Sequence, residues 1–259
     1  MFAAIQAYAN PTGPAVAAGS ASFSTSGSTL TVVNSNNTII NWQGFSIGAG
    51  ETTRFNQPSA SSTVLNRVVT ANPSSIFGSL TSNGNVFLVN PNGVIFSQGS
   101  QVSVGGLTVS TTNITDANFL AGAYTFSGGG TASIVVDGTM VATGNLTFIS
   151  GGTVSASGVV TAGGAVSIPG QISTGGGVGL ISGSTISVAG TTSTGTILLT
   201  SSRLTDSRPG ARIAAGGAIS IGVGGVSGTG RLAATTTGSS SPAGTASVTL
   251  NLEKRDVGF

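Results

Sequence analysis

The chain has 259 residues, of which 42 are glycine, 8 are basic and 6 acidic, and it contains neither histidine nor cysteine. These absences exclude Ser-His-Asp and Cys-His machinery, thiolate nucleophiles, iron–sulfur clusters, disulfides and the usual zinc sites, and a net charge of +2 leaves no basic stripe for nucleic acid. A mean hydropathy of +0.38 argues for a folded chain, since disordered segments are poor in apolar and β-branched residues.

The first residues, Met1-Phe2-Ala3-Ala4-Ile5-Gln6-Ala7-Tyr8-Ala9, end in a small-x-small pattern that a signal peptidase accepts. We read 1–9 as a residual signal-peptide segment lacking its basic start, with the mature chain beginning near Asn10; an ordinary apolar strand is the alternative. Downstream, apolar residues recur at spacing two, and Gly, Ser, Thr or Asn interrupts every few positions. That periodicity predicts strands, for example over 29–33, 38–42, 86–89, 93–96, 101–110 and 144–149. One helical turn is expected over 116–122, with Thr115 or Asp116 as N-cap and Gly122 as stop.

From about Asp137 a degenerate repeat runs to the end of the chain. Apolar runs begin at Leu146, Ala165, Val178, Ile197 and Ala218, at intervals of 19, 13, 19 and 21 residues. A period near 20 with short strands closed by glycine is how a parallel β-helix reads, because each coil climbs one strand spacing of about 4.8 Å and turns on small residues. The 13-residue interval implies a skipped corner or a misalignment. Val166, Ile168, Leu180, Ile181, Ile197 and Leu199 are the expected inner residues, and a β-sandwich is the competing fold.

Two segments read as corners. In Asn90-Pro91-Asn92-Gly93, Pro91 presets φ for the second turn position, Asn92 tolerates the left-handed region and Gly93 permits positive φ. Asn72-Pro73-Ser74-Ser75 starts a turn in the same way. Gly105-Gly106 marks a corner or a close backbone approach; with no lysine and no following helix it is no phosphate cradle. The aromatics Trp42, Phe45, Phe55, Phe77, Phe87, Phe96, Phe119, Tyr124 and Phe126 all precede the repeat and are expected to pack the core and a cap. Arg54 and Arg67 read as solvated, or as paired with Glu51 or a partner, and Arg203, Asp206, Arg208 and Arg212 as a solvated loop.

The blocks Ile40-Asn41-Trp42-Gln43-Gly44-Phe45-Ser46-Ile47, Asn66-Arg67-Val68, Asn72-Pro73-Ser74-Ser75-Ile76-Phe77-Gly78, Gly84-Asn85-Val86-Phe87-Leu88-Val89-Asn90-Pro91-Asn92-Gly93-Val94 and Val104-Gly105-Gly106-Leu107 resemble the two-partner secretion domain of filamentous-haemagglutinin-like exoproteins (haemagglutination activity domain), in order and spacing, over roughly 18–128. The resemblance implies an all-β fold: a right-handed parallel β-helix (β-solenoid) with an N-terminal cap and extra-helical β elements. It divides the chain into the residual signal segment 1–9, a two-partner secretion domain over 10–130 with the cap and first coils, and continuing β-helix repeats over 131–259. It implies export from a Gram-negative bacterium through the periplasm to the medium or cell surface. The partner is an outer-membrane TpsB-type β-barrel transporter with POTRA domains. The family includes adhesins and virulence factors, so a host or neighbouring cell surface is the expected target. It also makes Asn72, Pro73, Asn90, Pro91, Asn92 and Gly93 the secretion motif, read by a partner or serving as a turn.

Parallel β-helices also carry polysaccharide lyases and glycoside hydrolases, which need paired carboxylates or calcium-binding acidic clusters. Only Glu51, Asp116 and Asp137 precede Asp206, and no two share the alternating spacing of one strand. We therefore expect no enzyme and no cofactor, while coil stacking could still bring distant acids together. An autonomous surface or filament-forming β-solenoid, growing by end-to-end self-association, is the alternative function.

Overall fold

The computed structural model describes residues 10–128 and 131–168 with their side chains, and further strands as far as Leu252 by backbone pairing alone. Three sheets, called I, II and III here, stack strand upon strand along one axis. Sheet I contains Ala15–Ala18, Thr38–Trp42, Thr63–Val68, Asn85–Val89, Gly106–Ser110, Leu146–Ile149 and Val166–Ile168. Sheet II contains Ala21–Ser26, Thr29–Asn34, Thr52–Asn56, Ser79–Ser82, Gln101–Val104, Thr139–Ala142 and Val159–Ala162. Sheet III contains Ser74–Ile76, Val94–Phe96, Ile134–Val136 and Val154–Ala156. The chain passes from I to III to II and back to I, once per coil. This is a parallel β-solenoid, and the two-sheet sandwich is not the fold.

Strand alternation selects the core. On the inner face of sheet I, Val64, Val86, Leu107, Leu146 and Val166 stand in register from coil to coil and are almost fully buried. Sheets II and III add Leu80, Val102, Met140 and Val160, and Ile76, Phe96 and Val136. Val166 and Ile168 are inside as expected; Leu180, Ile181, Ile197 and Leu199 lie outside the described side chains. A polar amide also sits on the inner face: Asn66 accepts a hydrogen bond from the Trp42 indole at 2.9 Å and donates to the Phe87 carbonyl at 3.3 Å, which satisfies a buried amide in the core.

The N-terminal end is closed by a change of strand direction. Ala15–Ala18 runs antiparallel to Thr38–Trp42, and Ala21–Ser26 antiparallel to Thr29–Asn34. Beneath them Phe23, Trp42 and Phe45 meet edge to face at 5.6 and 5.7 Å, and Phe45 stacks on Phe55. The aromatic cap is thus where the residue types placed it.

A flap between Ser110 and Ile134 leaves the coil and folds back over the outer face of sheet I. It carries the helix Asp116–Leu120, whose N-cap Thr115 accepts from the Asn118 amide. Ile114 and Phe119 cover Ile39, Leu65, Phe87 and Val89 in a second apolar cluster, and an antiparallel bridge joins Asn113 to Ser127 at the flap base.

Several expectations change. The run 101–110 is two strands, broken at Gly105, where the chain turns from sheet II to sheet I. The 13-residue interval was a slip between faces: Leu146 pairs with Val166 and Val166 with Ile186, 20 residues apart each time, whereas Val178 belongs to sheet II with Ile197. Arg203–Asp206 and Arg212–Ala215 are strands in sheets I and III rather than parts of one loop; Arg208 and the exposure of these side chains lie outside the described residues. The segment 1–9 lies outside the described residues.

Candidate functional site

The corner from sheet I to sheet III brings all six residues of the expected motif together. Asn72-Pro73 turns one coil and Asn90-Pro91-Asn92-Gly93 turns the next, because Ser74–Ile76 pairs in register with Val94–Phe96. Asn90 is fully buried. Its amide nitrogen donates to the Asn72 carbonyl and to Ser74 Oγ, both at 3.0 Å, and its Oδ1 accepts from the Asn92 amide N–H at 3.0 Å. The last contact is an Asx turn, the local bond that suits asparagine to corners. Pro91 gives up no needed donor there. Gly93, at φ 107°, has an N–H that donates to the Asn90 carbonyl at 3.1 Å, and its own carbonyl accepts from the Ser74 amide at 3.0 Å. That φ is strained for any residue with a Cβ.

Asn92 is exposed, and its side-chain amide donates to the Thr70 carbonyl of the preceding corner at 2.8 Å. Below Asn90 the same place is taken by Thr111, which donates to the Ala132 carbonyl and accepts from the Gly151 amide at 2.8 Å. The corner is therefore a polar ladder tying successive coils. It divides the motif: Asn90 and Gly93 are buried, Pro91 is half-buried, and Asn72, Pro73 and Asn92 face solvent. A partner touching the folded corner meets only the last three and the edge of Pro91. The corner holds no titratable side chain.

The described carboxylates all have structural partners. Glu51 accepts from the Gly48 amide at 2.8 Å, Asp137 accepts from the Ser157 hydroxyl, and Asp116 pairs with Arg67 at 2.8 Å. Glu51 and Asp137 share the corner from sheet III to sheet II, but the coils of Gly78 and Ser100 lie between them. Three strand spacings amount to about 14 Å, beyond the separation of an inverting glycosidase pair. Among the described residues no group of three acidic side chains could hold a metal ion.

Sequence reasoning missed the role of Arg67. It is neither solvated nor paired with Glu51: its side chain is 15% exposed, pairs with Asp116 and donates to the Ile114 carbonyl at 2.7 Å. Arg67 thus fastens the flap to sheet I. The only local signal was an acid at the start of the predicted helix. Arg54 is exposed.

The family model described as "TPS secretion domain" matches residues 7–252. A heme/hemopexin-binding protein of Haemophilus influenzae strain Rd is 43% identical over 105 residues, which are 40% of this chain and 12% of that protein. A second heme/hemopexin-binding protein from Haemophilus influenzae is 40% identical over 88 residues, 34% of this chain and 10% of the relative. This chain thus spans about a tenth of the length of these curated relatives. Among solved structures, the HMW1 secretion domain from Haemophilus influenzae overlays with a TM-score of 0.62 at 22% identity, covering 88% of this chain and 84% of that one; at that identity the likeness concerns the fold.

Proposed function

The chain belongs to the TPS secretion domain family, and on that premise we propose that it is the secretion-targeting module of a large bacterial exoprotein. POTRA domains of an outer-membrane TpsB-type β-barrel recognise it in the periplasm, and it folds into its solenoid on emerging at the cell surface. The observation that carries this reading is the family match over 7–252. The fold supports it physically. Each coil depends only on its neighbours, so structure can propagate from the antiparallel cap one coil at a time. Every coil buries apolar side chains at about 0.8 kcal/mol per CH₂, offsetting the chain entropy it fixes, and that gain can bias passage outward without ATP. The chain has no cysteine and only 14 charged side chains, so neither crosslinks nor many hydrated ions resist threading.

The test is export of the chain, fused to a Sec-type signal, in cells with and without a matched barrel. Protein in the medium only when the barrel is present, together with capture of the unfolded chain by the isolated POTRA domains, is the expected result. Release without the barrel, or retention in the periplasm despite it, overturns the reading.

A further inference from the structure

We propose that the outer face of sheet I carries a binding groove for a neutral saccharide, built from Asn85, Asn145, Thr108, Thr147, Phe87 and Tyr124. The inference stands on the groove alone and does not depend on the secretion reading.

Two outward columns of side chains run across the coils on this face. One contains Thr63, Asn85, Gly106 and Asn145, and the other Leu65, Phe87, Thr108 and Thr147. The flap covers the second column at Leu65 and Phe87 but leaves Thr108 and Thr147 half-buried. In the first column Gly106 has no side chain, and Asn85 Oδ1 leans into the space beside it. A Cβ there would press on Asn85 Oδ1 and come within 3.3 Å of the Asn145 carbonyl. The result is a cavity of about 350 Å³, near the lower end of the range for small-ligand sites.

Tyr124 overhangs it from the flap, 43% exposed, with its ring centroid 4.6 Å from that of Phe87 and 6.0 Å from that of Phe119. An exposed ring backed by two others is a firm apolar wall. The opposite side is polar and unevenly spent. Asn85 uses its amide hydrogens on the Ala60 and Ser62 carbonyls, both at 3.2 Å, which leaves its Oδ1 as an acceptor. Asn145 uses its Oδ1 on the Ala165 amide at 2.8 Å, which leaves its amide hydrogens as donors. The Thr108 and Thr147 hydroxyls serve either way.

The lining contains no Asp, Glu, Lys or Arg, so an ionic ligand would lose hydration with no counter-charge to replace it. A wholly apolar ligand would strand the amides and hydroxyls. An added peptide strand finds no free backbone, because the ladder hydrogen bonds on both sides of Gly106–Ser110 are already made. A pyranose fits both walls: its C–H face lies on Tyr124, and its hydroxyls meet the Asn and Thr groups.

The experiment is saturation-transfer NMR on the purified chain with glucose, galactose, mannose, N-acetylglucosamine and their disaccharides, beside glucuronate and a neutral Gly-Ser peptide. At least one neutral sugar should bind in the millimolar range. Thr147→Lys, which fills the groove, and Tyr124→Ala should each weaken it at least tenfold, whereas Tyr124→Phe and Thr161→Lys on the outer face of sheet II should not. Thr147→Lys keeps the test decisive if Tyr124→Ala loosens the flap. No transfer to any neutral sugar, transfer that survives Thr147→Lys, or preference for the peptide or glucuronate overturns the proposal.

Discussion

Asn90 and Asn92 stand two residues apart in one corner and differ in what they can do. Asn90 is buried and bonds the preceding corner twice, so Asn90→Ala should cost about 3 kcal/mol, roughly 1 for each bond its amide donates and 1 for the Oδ1 that accepts from Asn92. Asn92 is exposed and holds the Thr70 carbonyl, so Asn92→Ala should cost about 1 kcal/mol. Urea denaturation of both variants beside an export assay separates their roles. If export by a matched barrel fails for Asn92→Ala while stability barely moves, the corner is read by contact; export that follows stability in both makes it a turn. Arg67 and Asp116 differ in the same way. Arg67→Ala leaves the Ile114 carbonyl and Asn41 Oδ1 without their donor and should cost about 2 kcal/mol. Asp116, 49% exposed, should cost about 0.5 kcal/mol as Asp116→Asn. Equal losses would show that the ion pair, and not the carbonyl contact, holds the flap.

At the level of the element, corners and flap obey different physics. The turn from sheet II to sheet I is a glycine stack: the Gly105 amide donates to the Gly84 carbonyl at 3.0 Å, and the Gly144 amide to the Gly105 carbonyl at 2.6 Å. A Cβ on Gly105 would lie 2.7 Å from the Gly84 carbonyl oxygen, backbone that cannot move aside. Gly105→Val should therefore cost about 3 kcal/mol and broaden the thermal transition followed by circular dichroism; a wild-type melt would show that the corner relaxes. The flap is held instead by side chains, chiefly Phe119 against Phe87 at 5.3 Å. Phe119→Ala should speed hydrogen exchange over 111–128 and leave the amides of Leu146–Ile149 protected, since the ladder bonds of that strand run to neighbouring coils and not to the flap. Uniform acceleration across both would make flap and coils one cooperative unit.

For the whole molecule, the proposed route requires the chain to be extended during passage and coiled afterwards. Ser103 and Val141 are paired in register on the outer face of sheet II and both exposed. Neighbouring strands are about 4.8 Å apart, within reach of a disulfide. With no native cysteine, Ser103→Cys with Val141→Cys makes a single defined crosslink. Oxidation in the periplasm before the barrel is induced should stop export, and a reducing agent should restore it. Crosslinked chain appearing in the medium at the normal rate would mean that passage does not require an extended chain.

The strand over Thr38–Trp42, the Thr115 cap and the Asn90-Pro91-Asn92-Gly93 corner were legible because alternation, capping and turn chemistry act within a few residues. The period near 20 was legible for a related reason: coils that stack must repeat their inner side chains. Which runs share a face was not, so the runs from Leu146, Ala165 and Val178 were aligned as one series until the pairing assigned Val178 to sheet II. The break at Gly105 depends on Gly84, one coil away, and the groove over Gly106 on where the flap stops. Beyond an acid at the start of the predicted helix Arg67 had no signal of its task, because its carbonyl partner Ile114 is 47 positions along the chain. By itself the sequence determined the unit of the fold, since local backbone preferences and small residues at corners suffice for that. Only the tertiary structure decided which charge is paired, which asparagine is buried and where a cavity opens, since those depend on atoms that stacking brings together across whole coils.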